Sequence, residues 1–402
     1  LDLSVNNLIG HIPDELGELK SLTLLSLMYN NLNGSMPQGI GDLPNLLTLL
    51  IWNNSFSGEL PQQLGTNSPL QWLDVSSNFF QGPIPPNLCL HSNLTKLILF
   101  KNQFSGPIPG SLAGCQSLLR VRIQDNVLSG TIPLGFGTLP KLTRLELQLN
   151  NLIGNIPLDF SSTSGSSDNS SKLSYLDLSY NYLDGGLPMN IWSLPSIQSF
   201  LASGNNLSGP IHDNFDVCPT LAVLVLSENH FSGKIPTGIS KCRKLITIEL
   251  EQNELTGEIP EELATMPNLG VLDLSQNLLF GRIPFQFQSS ITLESFNVSY
   301  NNLSGPVPSE GMFKTASISS FVGNPNLCGG MLPQSCFMDG YDSERKEKTR
   351  IHTQLMFWLI GCVLVVSLVI SITGGRYLFK HYIGPLACRS KDTYKNNNLN
   401  VD

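Results

Sequence analysis

Charge is scarce in this 402-residue sequence, with Asp, Glu, Lys and Arg making up only 13% of it. Together with 35 glycines and 26 prolines, that speaks against a helical protein and for a turn-rich one. The net charge is −8, and the acidic excess lies before residue 339, while 339–402 is net basic. An acidic body argues against nucleic acid as a partner. Three kinase signatures are missing: the glycine-rich loop, HRD and DFG. Their absence excludes phosphoryl transfer by this chain, and no cofactor or metal is expected. No signal peptide or N-terminal cap precedes Leu1-Asp-Leu3, which reads as mid-strand. The sequence stops 29 residues after Thr373, so both ends are expected to be losses from a longer parent.

What is present is a stride. Thirteen asparagines, from Asn6 through Asn78 and Asn150 to Asn301, recur every 24 residues, with one gap of 31 between Asn150 and Asn181. Each sits in the frame LxLxxNxLxG. All but one are followed seven residues on by proline, the exception being His212 after Asn205. This period and pattern predict a leucine-rich-repeat solenoid. In Leu70-Gln-Trp-Leu73-Asp-Val75-Ser-Ser-Asn78, alternation turns Leu73 and Val75 inward and Trp72, Asp74 and Ser76 outward. Asn78 lies where the chain leaves the strand, and stacked asparagines are expected to satisfy one another's loops. Gly82 suits positive φ, and Pro85 favours a short 3₁₀ turn on the convex side. The expected fold is an α/β solenoid with one parallel concave sheet of thirteen strands, about 60 Å long at the usual strand spacing.

The chain divides accordingly. Repeats occupy 1–315, with a seven-residue insert at 161–171 expected as a flexible loop. A cap at 316–338 contains Cys328 and Cys336, expected to be bridged. An outer stalk at 339–354 precedes a membrane-spanning helix at 355–375 and a cytoplasmic tail at 376–402. Cys115, Cys218 and Cys242 share one repeat position and are expected as small buried hydrophobes, with a Cys89–Cys115 bridge as the alternative. Sequons begin at Asn53, Asn93, Asn169, Asn206, Asn297 and Asn302, and with the cap cysteines they predict a glycosylated extracellular side.

The outward positions of repeats two to five are apolar and aromatic: Met28, Tyr29, Leu50, Trp52, Trp72, Ile98 and Phe100, with Asp74 among them. In repeats eight to thirteen they are mostly Ser, Asp, Glu, Gln and Val. Beside the stripe, period 2 places Arg120 and Arg122 on one face, and the repeat aligns Lys96, Arg120 and Arg144 in a column about 5 Å apart. Such a column costs stability, which suggests an anionic guest. A local salt-bridge patch with Glu146 and Asp125 is the competing reading. The expected ligand is an extended peptide. Its free C-terminal carboxylate docks on Arg120 and Arg122, and its body runs along the stripe toward the N-terminus. Five repeats accommodate about seven extended residues.

The repeats LTLLSLMYNNLNG, IWNNSFSGELP, WLDVSSNFF and LLRVRIQDN, the cap GNPNLCGGMLPQSC and the apolar run after it resemble plant leucine-rich-repeat receptor-like kinases over nearly the whole chain. The likeness is strongest to subfamily XI, in the group of the tracheary element differentiation inhibitory factor receptor. It implies a plasma-membrane, single-pass receptor that binds secreted CLE-type peptides on its concave face. An Arg-x-Arg pair there, matched by Arg120 and Arg122, takes the peptide carboxylate. It also implies a co-receptor kinase of the somatic-embryogenesis receptor kinase type near Leu278–Leu327. The alternative is a kinase-less receptor-like protein acting as a scaffold or immune-type receptor.

Overall fold

The computed structural model describes residues 1–161, 171–215 and 218–336. The centre of the insert, Asn169 and the proposed stalk, span and tail lie outside the described residues. Among the described residues no helix is long and apolar enough to cross a membrane.

Every 24-residue unit makes one turn of the coil. Its LxL segment forms a three-residue strand, and twelve such strands, from Leu24–Ser26 to Ser295–Asn297, pair in parallel as one concave sheet. The first repeat contributes only a bridge between Asp2 and Ser26, so the described sheet has twelve strands rather than thirteen. A second parallel sheet, of fourteen strands from Ile9–Gly10 to Asn326–Cys328, was not expected. It is built by the xLxG segment after each asparagine. That segment also alternates: Phe80 is fully buried between exposed Phe79 and Gln81. Equal repeat length brings these backbones into register, and their N–H and C=O groups pair. Gly82, at φ 76°, turns the chain out of this strand. The convex side carries short 3₁₀ turns, such as Gln38–Asp42 and Glu261–Thr265, and one α-helical turn, Gly110–Ala113.

The core is one continuous apolar column. Inward side chains such as Leu73, Leu97, Val121 and Leu145 are completely buried. Phe56, Phe80 and Phe104 occupy equivalent positions, and their rings stack at 6.1 and 6.2 Å.

The asparagine ladder satisfies the loops of neighbouring coils, as expected. The amides do not bond one another but reach backbone on both sides. Asn78 Nδ2 donates to Ile51 O at 3.0 Å and Val75 O at 3.1 Å, while its Oδ1 accepts from Phe56 N at 3.0 Å. One side chain thus joins its own strand exit to two segments of the preceding coil. The residue before each asparagine bends through the left-handed region, as Ser77 does at φ 52° and Tyr29 at φ 52°. Tyr29 is therefore a turn residue, not a strand residue.

The cysteine expectation is corrected as well. Cys218 bonds Cys242, with Cα atoms 5.1 Å apart, and Cys89 bonds Cys115 at 5.9 Å. Residues one repeat apart sit one strand spacing apart, inside the range a disulfide spans. The cap bridge joins Cys328 and Cys336. Phe313, just before the cap, and Phe321 within it close the apolar column by packing on Phe296 of the last concave strand.

Candidate ligand-binding surface

The cations fall in register. Arg120 pairs across the sheet with Lys96 on one side and Arg144 on the other, while Arg122 lies between Ile98 and Glu146. They do not stand apart from the aromatic stripe. The Lys96 ammonium lies 3.9 Å over the Trp72 ring, and the Arg122 guanidinium 4.5 Å over Phe100. Arg144 lies 3.8 Å over Tyr175, a residue the sequence reading did not single out. Such contacts dissipate part of the repulsion within the column.

Glu146 gathers two of the four cations. Its side chain is only 3% exposed. Arg144 Nε donates to Oε1, and Arg122 Nε lies 2.9 Å from the same oxygen. The Arg122 N–H does not point at that oxygen, so the pair is ionic rather than hydrogen-bonded. Gln124 Nε2 donates to Oε2 at 3.0 Å. The salt-bridge patch is therefore real in its Glu146 half, and Asp125 takes no part in it. Arg120 is exposed and has no side-chain partner among the described residues.

The apolar stripe is narrower than the pattern suggests. Trp52, Trp72 and Phe100 are half-buried and present ring surface to the groove. Leu50 and Ile98 are buried although both point outward from the sheet. Tyr29 packs edge-on against Trp52 at 4.4 Å and extends the stripe from its turn. Asp74 is buried too. Burial raises its carboxyl above the usual range, while bonds from Ser76 and the charge of Arg122 pull it back.

Beyond Glu146 the sign of the groove reverses. The outward positions of the strands from Tyr175–Asp177 to Ser295–Asn297 carry Asp177, Glu249, Glu251 and Asp273 and no cation. Burial pushes Asp177 up, against bonds from Ser179 and Tyr175. Burial also raises Glu249 and Glu251, and Asp273 adds to both. A carboxyl raised in the folded state costs stability where it is ionised and stops costing below its unfolded value. Asp177→Asn keeps an acceptor for Ser179. It is expected to melt at a higher temperature than wild type at pH 7, with the gap closing by about pH 3, below the ordinary Asp value. Melting curves across that range check the sign.

Of the sequons, Asn53, Asn93, Asn206 and Asn302 are exposed. Asn297 is a concave strand residue whose Nδ2 donates to Asp273 and whose Oδ1 accepts from Ser299 N. A groove of about 1100 Å³, lined by Phe280, Arg282, Phe285 and Glu258 among others, lies along the second sheet and shares no residue with the cation cluster. The concave sheet is an open surface of the kind an extended chain lies on, not an enclosed cavity.

The Leucine Rich Repeat family profile matches residues 69–90, 93–115, 172–194 and 220–242. No curated protein matches. The crystal structure of a TDR receptor is similar with a TM-score of 0.78 and 46% identity, over 84% of this chain and 56% of that one. The Arabidopsis receptor kinase HAESA, solved with the peptide hormone IDA and the co-receptor SERK1, gives 0.76 and 41%, over 83% and 54%. The plant peptide hormone receptor RGFR1, solved with RGF2, gives 0.56 and 30%, over 82% and 63%. The chain spans a little over half the length of the first two. With their coil, their repeat and their arrangement of parallel strands, it belongs to the leucine-rich-repeat receptor family of plants.

Proposed function

We propose that this chain is the ligand-binding ectodomain of a plant cell-surface receptor, which takes an extended signalling peptide along its concave face. The observation that carries the reading is Arg120: an exposed cation without a side-chain partner among the described residues, beside a guanidinium lying over an aromatic ring, on a face whose charge changes sign two strands later. An arginine pair at this spacing suits two-point binding of a carboxylate. The peptide's C-terminus docks on Arg120 and Arg122, with Lys96 and Arg144 adding positive field. Its body follows Phe100, Trp72 and Trp52 toward the N-terminus, where aromatic rings supply apolar contact. Asp177 and the carboxylates after it disfavour an anionic end placed further along. The relatives solved with peptide hormones support this reading, and so does the complex that contains a co-receptor.

A CLE-type peptide with a free C-terminus is the ligand class proposed. A co-receptor kinase of the somatic-embryogenesis type, meeting the repeats near Leu278–Leu327, completes the signalling unit at the plasma membrane. Residues 355–375 anchor the chain there. Calorimetric titration of a panel of CLE-type peptides, each as the free acid and as the C-terminal amide, tests the proposal. The free acid is expected to bind at least tenfold more tightly. Equal affinities across the panel would remove the carboxylate dock.

A further inference from the structure

We propose that Glu146 is a positioning residue for this dock. It orients two guanidiniums and is not itself a ligand contact. The inference rests on the reading of Arg120 and Arg122 as a carboxylate site. Three features carry it.

The Glu146 carboxylate is already engaged by the protein on both oxygens. Two arginine Nε atoms stand against Oε1 and the Gln124 amide against Oε2, at 3% exposure. At that exposure it offers a guest almost no surface. The way it meets the arginines also selects which of their edges stay free. A guanidinium presents two forked edges to a carboxylate, one made by Nε with an Nη and one made by the two Nη groups. Glu146 Oε1 accepts the Nε–H of Arg144 and lies 2.9 Å from Arg122 Nε as an ionic contact, so it is nearest the Nε end of each. The Nη fork of each is the edge left for an incoming anion. Finally, each guanidinium is fixed across its flat face as well, Arg122 over Phe100 and Arg144 over Tyr175. A carboxylate at one end and a ring below leave little rotational freedom, so less ordering remains to be done when the ligand arrives.

Gln124 belongs to the same device. An ionised carboxylate only accepts hydrogen bonds, so the amide nitrogen of Gln124 must face Glu146, which fixes the flip of that side chain. Arg120 lies outside the clamp and remains the adaptable member of the pair.

The opposite role is physically reasonable and gives the opposite sign. If Glu146 chiefly competed with the guest for the two arginines, neutralising it would strengthen binding of an anion. The probe is the tightest CLE-type peptide of the panel above, as free acid and as amide, titrated into wild type, Glu146→Gln and Glu146→Asp. The Gln variant keeps the shape and removes the charge, while the Asp variant keeps the charge and withdraws it by one methylene. The acid-to-amide affinity ratio is expected to fall at least fivefold in Glu146→Gln, through weaker acid binding, with amide binding within twofold of wild type. Glu146→Asp is expected to lie between the two. A purely structural role would weaken acid and amide alike and leave the ratio unchanged. An unchanged or increased ratio in Glu146→Gln overturns the proposal. Should that variant lack a cooperative melt, Glu146→Asp decides by the same rule. A ratio of one in wild type is a separate failure, of the dock itself.

Discussion

Arg120→Ala combined with Arg122→Ala is expected to weaken binding of a free-acid peptide by roughly two to four orders of magnitude. The estimate takes about 1.5–3 kcal/mol for each charge-assisted hydrogen bond and about 1.4 kcal/mol per tenfold in affinity. Folding should scarcely notice. Arg120 has no side-chain partner to lose among the described residues, and Glu146 keeps Arg144 and Gln124 when Arg122 is truncated. Glu146 is buried but keeps two hydrogen-bond donors, so it is not left an unpaired charge; the loss should be about 1 kcal/mol and the melting midpoint should move by no more than a few degrees. Calorimetry and a thermal melt on the same preparation separate the two effects. Loss of binding with an intact melt is the expected pair of results. Retained affinity would mean that the anion is held elsewhere.

The second large effect concerns the fold. Asn78→Ala is expected to destabilise the coil by roughly 2–4 kcal/mol. It strands the Phe56 N–H in a region where Asn78 itself is buried, at a cost of about 1–3 kcal/mol, and takes one of two donors from each of the Ile51 and Val75 carbonyls, which keep Asn54 and Asn102. Asn78→Asp should be at least as damaging at pH 7, because it sets a carboxylate against three carbonyl oxygens. The matching change at the open end, Asn6→Ala, should cost under about 1 kcal/mol, since Asn6 is exposed and bonds only Leu3 and Ser4. The contrast isolates burial from residue type. A solenoid need not unfold in one step, so the direct readout is hydrogen exchange at the Phe56 amide beside the global melt. Persistent protection there in Asn78→Ala would contradict the role given to the ladder.

Much of this architecture is legible in the sequence because one period fixes three things together. It sets which leucines face inward, where the chain turns, and which residues of successive coils become neighbours. The last of these is how Lys96, Arg120 and Arg144 emerge as one column before any coordinates are seen, and the register places them so. The same rule makes Cys218 and Cys242 neighbours, since they too are 24 residues apart. Reading them as separate small hydrophobes stopped one step short of the register. The offset of Cys89 from Cys115, 26 residues, is a harder case, because it relies on side chains leaning toward each other across unequal positions.

Other features were not readable from period alone. Alternation separates inward from outward positions, but it does not say which outward side chains their neighbours cover. Leu50, Ile98 and Asp74 all point outward and are nevertheless buried. Nor does it say how a long flexible arginine will turn. The competing views of the cluster, a docking site or an internal ion-pair patch, looked exclusive in sequence. In the folded chain one carboxylate serves two arginines, and a third arginine stays free. Resolving that needed the rotamers of Arg122, Arg144 and Gln124, which depend on the Phe100 and Tyr175 rings of two different repeats and on Glu146.

The most direct test is a structure of this chain with a bound free-acid peptide. The account predicts a terminal carboxylate within about 2.7–2.9 Å of guanidinium nitrogens on both Arg120 and Arg122, with Glu146 still seated behind. A peptide lying along the second sheet, or one whose terminus points away and leaves both guanidiniums in water, would contradict it.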